Sequence, residues 1–259
     1  MTTPQAVQAP PALLTFAPMI DSETCRLVLG HYAIPYREEP HLFGWVSILA
    51  LWHGWTLRVP VLYGTGLRLA GPRSMVDHFD EVCPVERKLV PARQPLHGQV
   101  EADWDLYNGE LGAHTAVLAY FHLLPHRDIM IEPFFRGVPR TEAFVLGRSY
   151  PMLSAMLTFL LQLSAGNAQD ALTEIRMIFE KTDARVADGR RYLAGDTLTL
   201  ADVGLAAAAA PLLLPAGYRS PIPPFERMPP ELQAIVTEMR QHDTARFAQR
   251  IYAELGAAS

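Results

Sequence analysis

The chain has 259 residues, of which 49% are hydrophobic and 19% are charged, and its formal net charge is −5. This is an ordinary globular composition, with enough apolar material for one large core or two modest ones. The mild negative charge gives no electrostatic reason to expect a nucleic acid or an anionic membrane as partner. The two cysteines, Cys25 and Cys83, are too few for a disulfide framework or a cysteine-rich zinc site. They favour a reducing compartment, and we expect a cytoplasmic protein.

Neither the N-terminal segment nor the most apolar segment of the sequence predicts membrane insertion. Residues 1–11 contain Pro and Gln and no basic start, so we expect a flexible tail and not a secretory signal. The most apolar stretch, residues 203–217, is shorter than the roughly 20 residues that a bilayer span needs. Pro211 and Pro215 also interrupt it. This stretch therefore predicts a buried core helix.

The first elements predicted along the chain are a strand and a helix. The strand covers residues 13–16, and the helix covers residues 22–33, where apolar side chains at i, i+3, i+4 and i+7 share one face. Asp21 or Ser22 is well placed to cap this helix. Residues 34–36 contain a proline that ends the helix and starts an extended segment.

The next segments complete a small α/β unit. Residues 41–56 predict a short helix and a loop, and residues 59–63 and 67–69 are strand candidates. The turn between them, residues 64–66, contains two glycines, as a hairpin turn prefers. A helix over residues 74–83, preceded by a proline, closes the unit. The order βαβαββα is that of a small layered α/β domain.

The composition changes after Pro84. Residues 85–98 are rich in proline and mixed charge and predict a linker. Strand signals almost vanish beyond it, and the sequence predicts an all-α domain over residues 99–259. The predicted helical segments are residues 99–124, 140–165, 168–188, 199–214 and 230–255.

One helix start in this second half can be predicted from local chemistry. Thr199 can accept a hydrogen bond from the amide three residues on, and Asp202 can reach back to the amide of Thr199. Leu198 begins the accompanying hydrophobic staple. We interpret this capping box as a folding feature with no part in catalysis.

Four segments in this order resemble the cytosolic glutathione transferase superfamily, and in particular its bacterial members. They are the helix and exit CRLVLGHYAIPY with Arg26, the pair Val59-Pro60, the run Thr197–Asp202, and the closing helices over residues 231–255. The resemblance implies a thioredoxin-like domain over residues 12–84 followed by an all-helical domain. It also implies glutathione as co-substrate, no metal, a role in detoxification and a homodimer.

In this family a group near the first strand and helix activates the glutathione thiol, whose pKa is otherwise about 8.5. The place of the family's tyrosine is held by Phe16, which has no hydroxyl. The usual serine or cysteine position falls near Met19, and Ser22 is the best remaining donor. Ser22 is also open to interpretation as a helix cap only. Cys25 is a weaker alternative, because its spacing places it on the buried face of the helix.

The resemblance also assigns residues that bind the rest of glutathione. Pro60 would be cis, and the backbone of Val59 would hold the cysteinyl part. The family's Glu-Ser or Gln-Ser pair is replaced by Pro72 and Arg73. Arg73 could pair with a carboxylate of the ligand and Ser74 could replace the lost hydroxyl. The ammonium group of glutathione has no evident partner.

The second substrate, an apolar electrophile, would bind between the domains. Met19, Tyr107, Tyr120 and Phe121 are the candidate wall residues. The aromatic stretch of residues 43–55 could line this pocket, or it could pack in the core or at the domain interface. His122 and His126 are four residues apart, but no carboxylate completes a zinc motif with them.

Three functions stay open on the sequence. The first is a glutathione transferase that conjugates or exchanges glutathione with an apolar electrophile. The second is a binding or interaction protein that keeps the fold without the thiol chemistry. The third is a thiol–disulfide or deglutathionylating enzyme that uses Cys25.

Overall fold

The computed structural model describes residues 9–52, 56–64, 66–148 and 150–257. Four strands form one sheet and are β1 (Ala12–Thr15), β2 (Arg37–Pro40), β3 (Val61–Gly64) and β4 (Leu67–Ala70). The helices within and next to this sheet are α1 (Ile20–His31), α2 (Trp45–Trp52) and α3 (Gly71–Val82). We call residues 12–82 the sheet region.

The rest of the described chain is helical, and we call residues 96–257 the helical region. Its helices are α4 (Leu96–Trp104), α5 (Gly112–Leu123), α6 (Arg127–Phe135), α7 (Arg140–Gly147), α8 (Tyr150–Leu160), α9 (Ala165–Val186), α10 (Leu200–Leu213), α11 (Pro230–Met239) and α12 (Asp243–Ala257). A wider π-helical segment, Asp105–Leu111, joins α4 to α5. A four-stranded sheet with helices followed by a helical part is the predicted fold class, which is confirmed.

The sheet has the order β2-β1-β3-β4. β1 pairs parallel with β2 and antiparallel with β3, and β3 forms a hairpin with β4. Gly64 and Gly66 have φ angles of 101° and 83°, which explains the glycines of the predicted turn. Thr65 between them lies outside the described residues. Because β1 is buried along its whole length, the sheet is anchored on its central strand.

Several predicted boundaries are corrected by the structure. α1 begins at Ile20, and Met19 precedes it without a side-chain cap. The expectation that Asp21 or Ser22 caps this helix is therefore wrong, because both lie inside its first turn. The predicted helices over residues 140–165 and 230–255 are each two shorter helices.

α10 is the central helix of the molecule. Every one of its residues is buried, and it contacts α1 of the sheet region as well as α4, α5, α11 and α12. Small side chains permit this close packing. A Cβ at Gly204 would lie 3.2 Å from the Trp104 ring of α4. The stretch that sequence analysis interpreted as a core helix thus forms most of α10, which packs against both regions of the molecule.

The start of α10 carries the capping box of Thr199 and Asp202. The Asp202 carboxylate accepts from the amides of Thr199 and Leu193, each at 2.8 Å, and from the Thr199 hydroxyl at 2.7 Å. Burial raises the pKa of Asp202 to about 6, although these hydrogen bonds oppose the shift.

Among the described residues, none of the helices combines the length and the apolar character that crossing a membrane requires.

Candidate active site at the junction of the two regions

A cavity of about 350 Å³ lies where the N-terminal end of α1 meets the helical region. The sheet region contributes residues 16 and 18–21 to its wall, together with Phe43. The helical region contributes side chains of α5 and α8 and residues 218, 221 and 222. Most of these side chains are apolar, so the cavity suits an apolar ligand.

The loop from Phe16 to Met19 turns the chain from β1 into α1 beside this cavity. The carbonyl of Phe16 accepts from the amide of Met19 at 3.0 Å and from the hydroxyl of Ser22 at 2.8 Å. The first amides of α1 therefore start at the cavity wall. Such a helix N-terminus carries partial positive charge, which stabilises a nearby anion.

Polar groups at this end of the cavity come from α1 and from the π-helical segment. The side-chain amide of Asn108 donates to Asp21 at 3.4 Å, and its carbonyl accepts from the Thr24 hydroxyl at 3.3 Å. Burial raises the pKa of Asp21, and the Asn108 bond only partly opposes this. π-helical segments occur often at functional sites. Here the segment brings Asn108 and Gly109 to the cavity wall.

The hydroxyl of Tyr120 is a buried polar group of the cavity wall that has no hydrogen-bond partner among the described residues. Burial raises its pKa, so it is a neutral donor at physiological pH. An unsatisfied buried hydroxyl costs about 1–3 kcal/mol. A ligand with an acceptor atom at this place would recover that cost.

The four predicted wall residues divide into two pairs. Met19 and Tyr120 line the cavity, whereas Tyr107 and Phe121 do not. The Tyr107 hydroxyl lies 3.1 Å from the Thr182 hydroxyl inside the helical region. Phe121 packs against the core. Tyr120 and Phe121 are neighbours in α5 and point to different sides of the helix, so only one of them reaches the cavity.

The predicted thiol-activating residues are both fully buried. Ser22 uses its hydroxyl hydrogen on the Phe16 carbonyl and is not part of the cavity wall. Burial raises the pKa of the Cys25 thiol well above its ordinary value. A buried neutral thiol is a poor nucleophile, which weighs against chemistry at Cys25.

The peptide bond between Val59 and Pro60 is cis. Because β1 and β3 are antiparallel with Leu14 opposite Val61, the residues just before β3 run beside Phe16, just after β1. The Pro60 carbonyl accepts from the amide of Gly71 at 2.8 Å. The cis turn, the end of β1 and the start of α3 therefore lie together at one edge of the sheet region.

Arg73 and Ser74 in α3 are bonded within the protein. Arg73 donates to Asp77 at 2.8 Å and also pairs with Glu101 of α4. The Ser74 hydroxyl donates to the Ala70 carbonyl at 2.8 Å. The one hydroxyl donor of Ser74 is thus in use, whereas Arg73 uses its Nε and Nη1 groups and keeps further N–H donors on a partly exposed side chain.

A buried ion network behind α1 is the feature that sequence reasoning missed. Arg26 donates to Glu38 at 2.6 Å, to Glu23 at 2.8 Å and to the Ser220 hydroxyl at 2.7 Å. Tyr252 of α12 donates to Glu23 at 3.2 Å. Burial disfavours the charged form of Arg26, but the hydrogen bonds and negative charges of Glu38 and Glu23 together outweigh it and raise the pKa of Arg26 overall. The network joins the sheet region to the helical region.

Sequence analysis singled out Arg26 only as part of a family motif. The signal for its role was the charged pair of Glu23 and Arg26, one turn apart in a helix that also carries the apolar residues of the core. Among the residues that the structure describes, there is no group of three or more His, Cys, Asp or Glu side chains that could hold a metal ion.

Comparison with protein families finds a match over residues 148–243 to "Glutathione S-transferase, C-terminal domain". A search of curated proteins finds no match.

Solved structures with the same fold cover nearly the whole chain. A glutathione S-transferase from Rhodospirillum rubrum F11 is 17% identical, with a TM-score of 0.55 over 95% of this chain and 99% of its own. A glutathione S-transferase of Ceriporiopsis subvermispora in complex with glutathione is 12% identical, with a TM-score of 0.58 over 97% and 100%. One from Methylobacillus flagellatus with glutathione bound is 15% identical, with a TM-score of 0.53 over 92% and 98%. At these identities the likeness concerns the fold.

Proposed function

We propose that this chain, which belongs to the glutathione S-transferase superfamily, conjugates or exchanges glutathione with an apolar electrophilic small molecule. One observation carries the proposal. An apolar cavity begins at the N-terminus of α1, and the β1–β3 register places Val59 and Pro60 beside the same loop.

In this proposal, backbone groups of the protein make most of the contacts that hold and activate glutathione. The backbone of Val59 pairs with the cysteinyl part, and the N-terminus of α1 stabilises the thiolate. The thiol proton leaves to solvent and the thiolate sulfur forms the new carbon–sulfur bond. In a substitution the bond from that carbon to the leaving group breaks, and the leaving group departs with the electron pair. In an addition the π electron pair moves onto the electrophile, which takes up a proton from solvent. Tyr120 donates a hydrogen bond to an acceptor atom of the electrophile.

Side chains contribute less to glutathione binding in this proposal than the family resemblance predicts. Ser22, Arg73 and Ser74 are all hydrogen-bonded inside the protein. Ser22 then acts by holding the Phe16 carbonyl and the start of α1. Arg73 is bonded to Asp77 and Glu101 through Nε and Nη1, and its remaining N–H groups are the ones that would donate to a ligand carboxylate.

The same observation supports the second candidate, a non-catalytic binding protein with weak or no affinity for glutathione. Its cavity would still bind an apolar molecule, because Tyr120 and the apolar wall do not depend on glutathione. We further propose a cytoplasmic homodimer with a role in detoxification, which the superfamily supports. Light scattering of the purified chain tests the dimer.

Steady-state conjugation of glutathione with an aryl halide tests the proposal. Ala116 of α5 lines the cavity, and Ala116→Trp fills part of it. We expect kcat/KM for the aryl halide to fall by about tenfold or more, as for loss of a bound apolar group. Ala253→Trp, at an exposed position of α12, is the matched control and should behave as the parent.

Two outcomes separate the candidates. Glutathione-dependent turnover that Ala116→Trp removes supports the transferase. A chain that binds an apolar dye in the cavity but shows no glutathione-dependent turnover is the binding protein.

A further inference from the structure

Exposed apolar side chains are concentrated in two segments of the chain. The described residues include twelve large hydrophobic side chains that are exposed, and nine of them lie within residues 45–57 or 144–160. We define the apolar face as the exposed side chains of α2, α7 and α8 in these segments. They are Trp45, Ile48, Leu51, Trp52, Phe144, Met152, Phe159 and Leu160.

This face corrects the expectation for the aromatic stretch at Trp45 and Trp52 only, because Phe43 lines the cavity and Leu49 packs against the core. Trp55 lies outside the described residues. Trp52 is 84% exposed and Phe159 is 82% exposed. Trp45, Ile48 and Trp52 lie at i, i+3 and i+7, so they share one side of α2. Monomeric soluble proteins rarely expose apolar patches of this kind without an interaction partner.

The two segments meet in space. A Cβ at Gly44, directly before α2, would lie 3.5 Å from the terminal methyl carbon of Met156 in α8. His41 pairs with Glu142 of α7 at 2.6 Å, and the Leu42 amide donates to the same carboxylate at 3.4 Å. The residues just before α2 therefore lie against α7 and α8, which brings the three helices that carry the apolar face near one another.

The charge around this area differs from the charge of the whole chain. Residues 41–76 and 143–169 contain no Asp or Glu, although the chain has a net charge of −5. Glu142, just before the second segment, is buried and paired with His41. Arg58 and Arg148 are exposed, and Arg148 lies over the Phe144 ring at 5.6 Å. Arg148 therefore places a cation on the apolar face, and Arg58 follows the first of its two segments directly in sequence.

We propose that the apolar face docks on the surface of an anionic lipid bilayer. Tryptophan rings are enriched at membrane interfaces, and a helix with exposed aromatic and aliphatic side chains can lie in the interfacial plane. Arg58 and Arg148 would contact acidic headgroups. This is peripheral docking and requires no spanning helix.

The candidate active site adjoins this face. Leu160 lines the cavity and is 54% exposed, and Phe43, one residue before Gly44, also lines it. An apolar molecule dissolved in the bilayer would therefore meet the cavity next to the docked surface. This last step rests on the proposed function, whereas the docking itself does not.

Sedimentation of the full chain with lipid vesicles tests the docking. We expect the protein to bind phosphatidylcholine vesicles that contain about 30 mol% phosphatidylserine, and binding to weaken as salt rises above about 0.15 M. Trp52→Glu and Phe159→Glu should each lower the bound fraction by about tenfold, because a carboxylate opposes both insertion and the anionic surface. Val85→Glu changes an equally exposed apolar side chain outside the face and should bind as the parent.

Four results would overturn the proposal. The parent chain could stay in the supernatant with every vesicle, or it could bind pure phosphatidylcholine equally well. Val85→Glu could lose binding as strongly as Trp52→Glu. Light scattering could show that Trp52→Glu dissociates a dimer, which would assign the face to a second copy of the chain. None of these results bears on glutathione turnover, which is measured without lipid.

Discussion

Two groups of buried polar side chains flank α1, and they differ in how completely they are paired. Behind the helix, Arg26, Glu23 and Glu38 form a network in which each charge has a partner of opposite sign. At its N-terminal end, Asp21 has one long bond to Asn108 and the Tyr120 hydroxyl has none among the described residues. The paired group joins the two regions of the protein. The under-paired group faces a cavity and is where a ligand can add hydrogen bonds.

The first prediction, which has the largest expected effect, removes the cation of the paired group. Arg26→Met leaves the buried Glu23 and the partly exposed Glu38 without their cation, so the free energy of unfolding should fall by about 3–5 kcal/mol. Arg37→Ala removes an exposed pair with Glu39, where the loss should be about 0–1 kcal/mol. Urea unfolding of both variants measures the difference. Equal, small losses would show that the network contributes no more than a surface pair.

The second prediction compares a paired and an unpaired tyrosine. Tyr120→Phe removes an unsatisfied hydroxyl, so the free energy of unfolding of the ligand-free chain should rise by about 1 kcal/mol. Tyr150→Phe removes a hydroxyl that donates to the Leu124 carbonyl at 2.7 Å, so it should lower this free energy by about the same amount.

The same pair of variants sharpens the ligand side of the comparison. Tyr120→Phe should weaken the binding of an apolar ligand that carries an acceptor oxygen by about fivefold, as expected for one neutral hydrogen bond. The hydrocarbon analogue of this ligand should bind Tyr120→Phe and the parent chain alike in a calorimetric titration. A destabilised Tyr120→Phe chain would mean that the hydroxyl has a partner in the ligand-free protein.

The third prediction concerns the pH dependence that Asp21 contributes. Its raised pKa means that the native state favours the protonated form, so this contribution to stability is present below the ordinary value of 3.8 and is lost as pH rises through the higher native pKa. Asp21→Asn removes the titration. The variant should equal the parent at low pH and be more stable at neutral pH, by urea unfolding across the pH range. If Asp21→Asn were less stable than the parent at neutral pH, the charged Asp21 carboxylate would be stabilising, which contradicts the raised pKa.

The fourth and smallest prediction concerns Ser22, which belongs to the paired class. Ser22→Ala should cost about 1 kcal/mol of stability through loss of its bond to the Phe16 carbonyl. The pKa of bound glutathione, followed by thiolate absorbance, should stay unchanged. A rise in that pKa would assign Ser22 as the thiol activator instead of a positioning residue.

Most of the fold was predictable because it depends on local patterns. The helix period in α1, the glycine turn before β4 and the cap at Thr199 are each determined by a few neighbouring residues. The break at Asp105–Leu111 was missed, although Asn108-Gly109 inside it is a pair of poor helix formers. α6 was also missed, because Pro133 lies inside it.

The site was harder to predict because it depends on contacts across the chain. Asn108 reaches Asp21 from a distance of 87 residues in sequence, and Ser220 reaches Arg26 from 194 residues. The family resemblance named polar residues of the expected kind at Ser22, Arg73 and Ser74. It could not show that these side chains already donate hydrogen bonds to carbonyl and carboxylate groups of the protein itself. The exposure of Trp52 likewise depends on which helices cover α2.

Calorimetric titration of the full chain with glutathione tests the proposed function most directly. The proposal predicts saturable binding at millimolar glutathione or below, with proton release near neutral pH as the bound thiol ionises at the N-terminus of α1. Absence of any binding heat at millimolar glutathione, in a chain that still binds an apolar ligand in the cavity, would contradict the transferase and leave the binding protein.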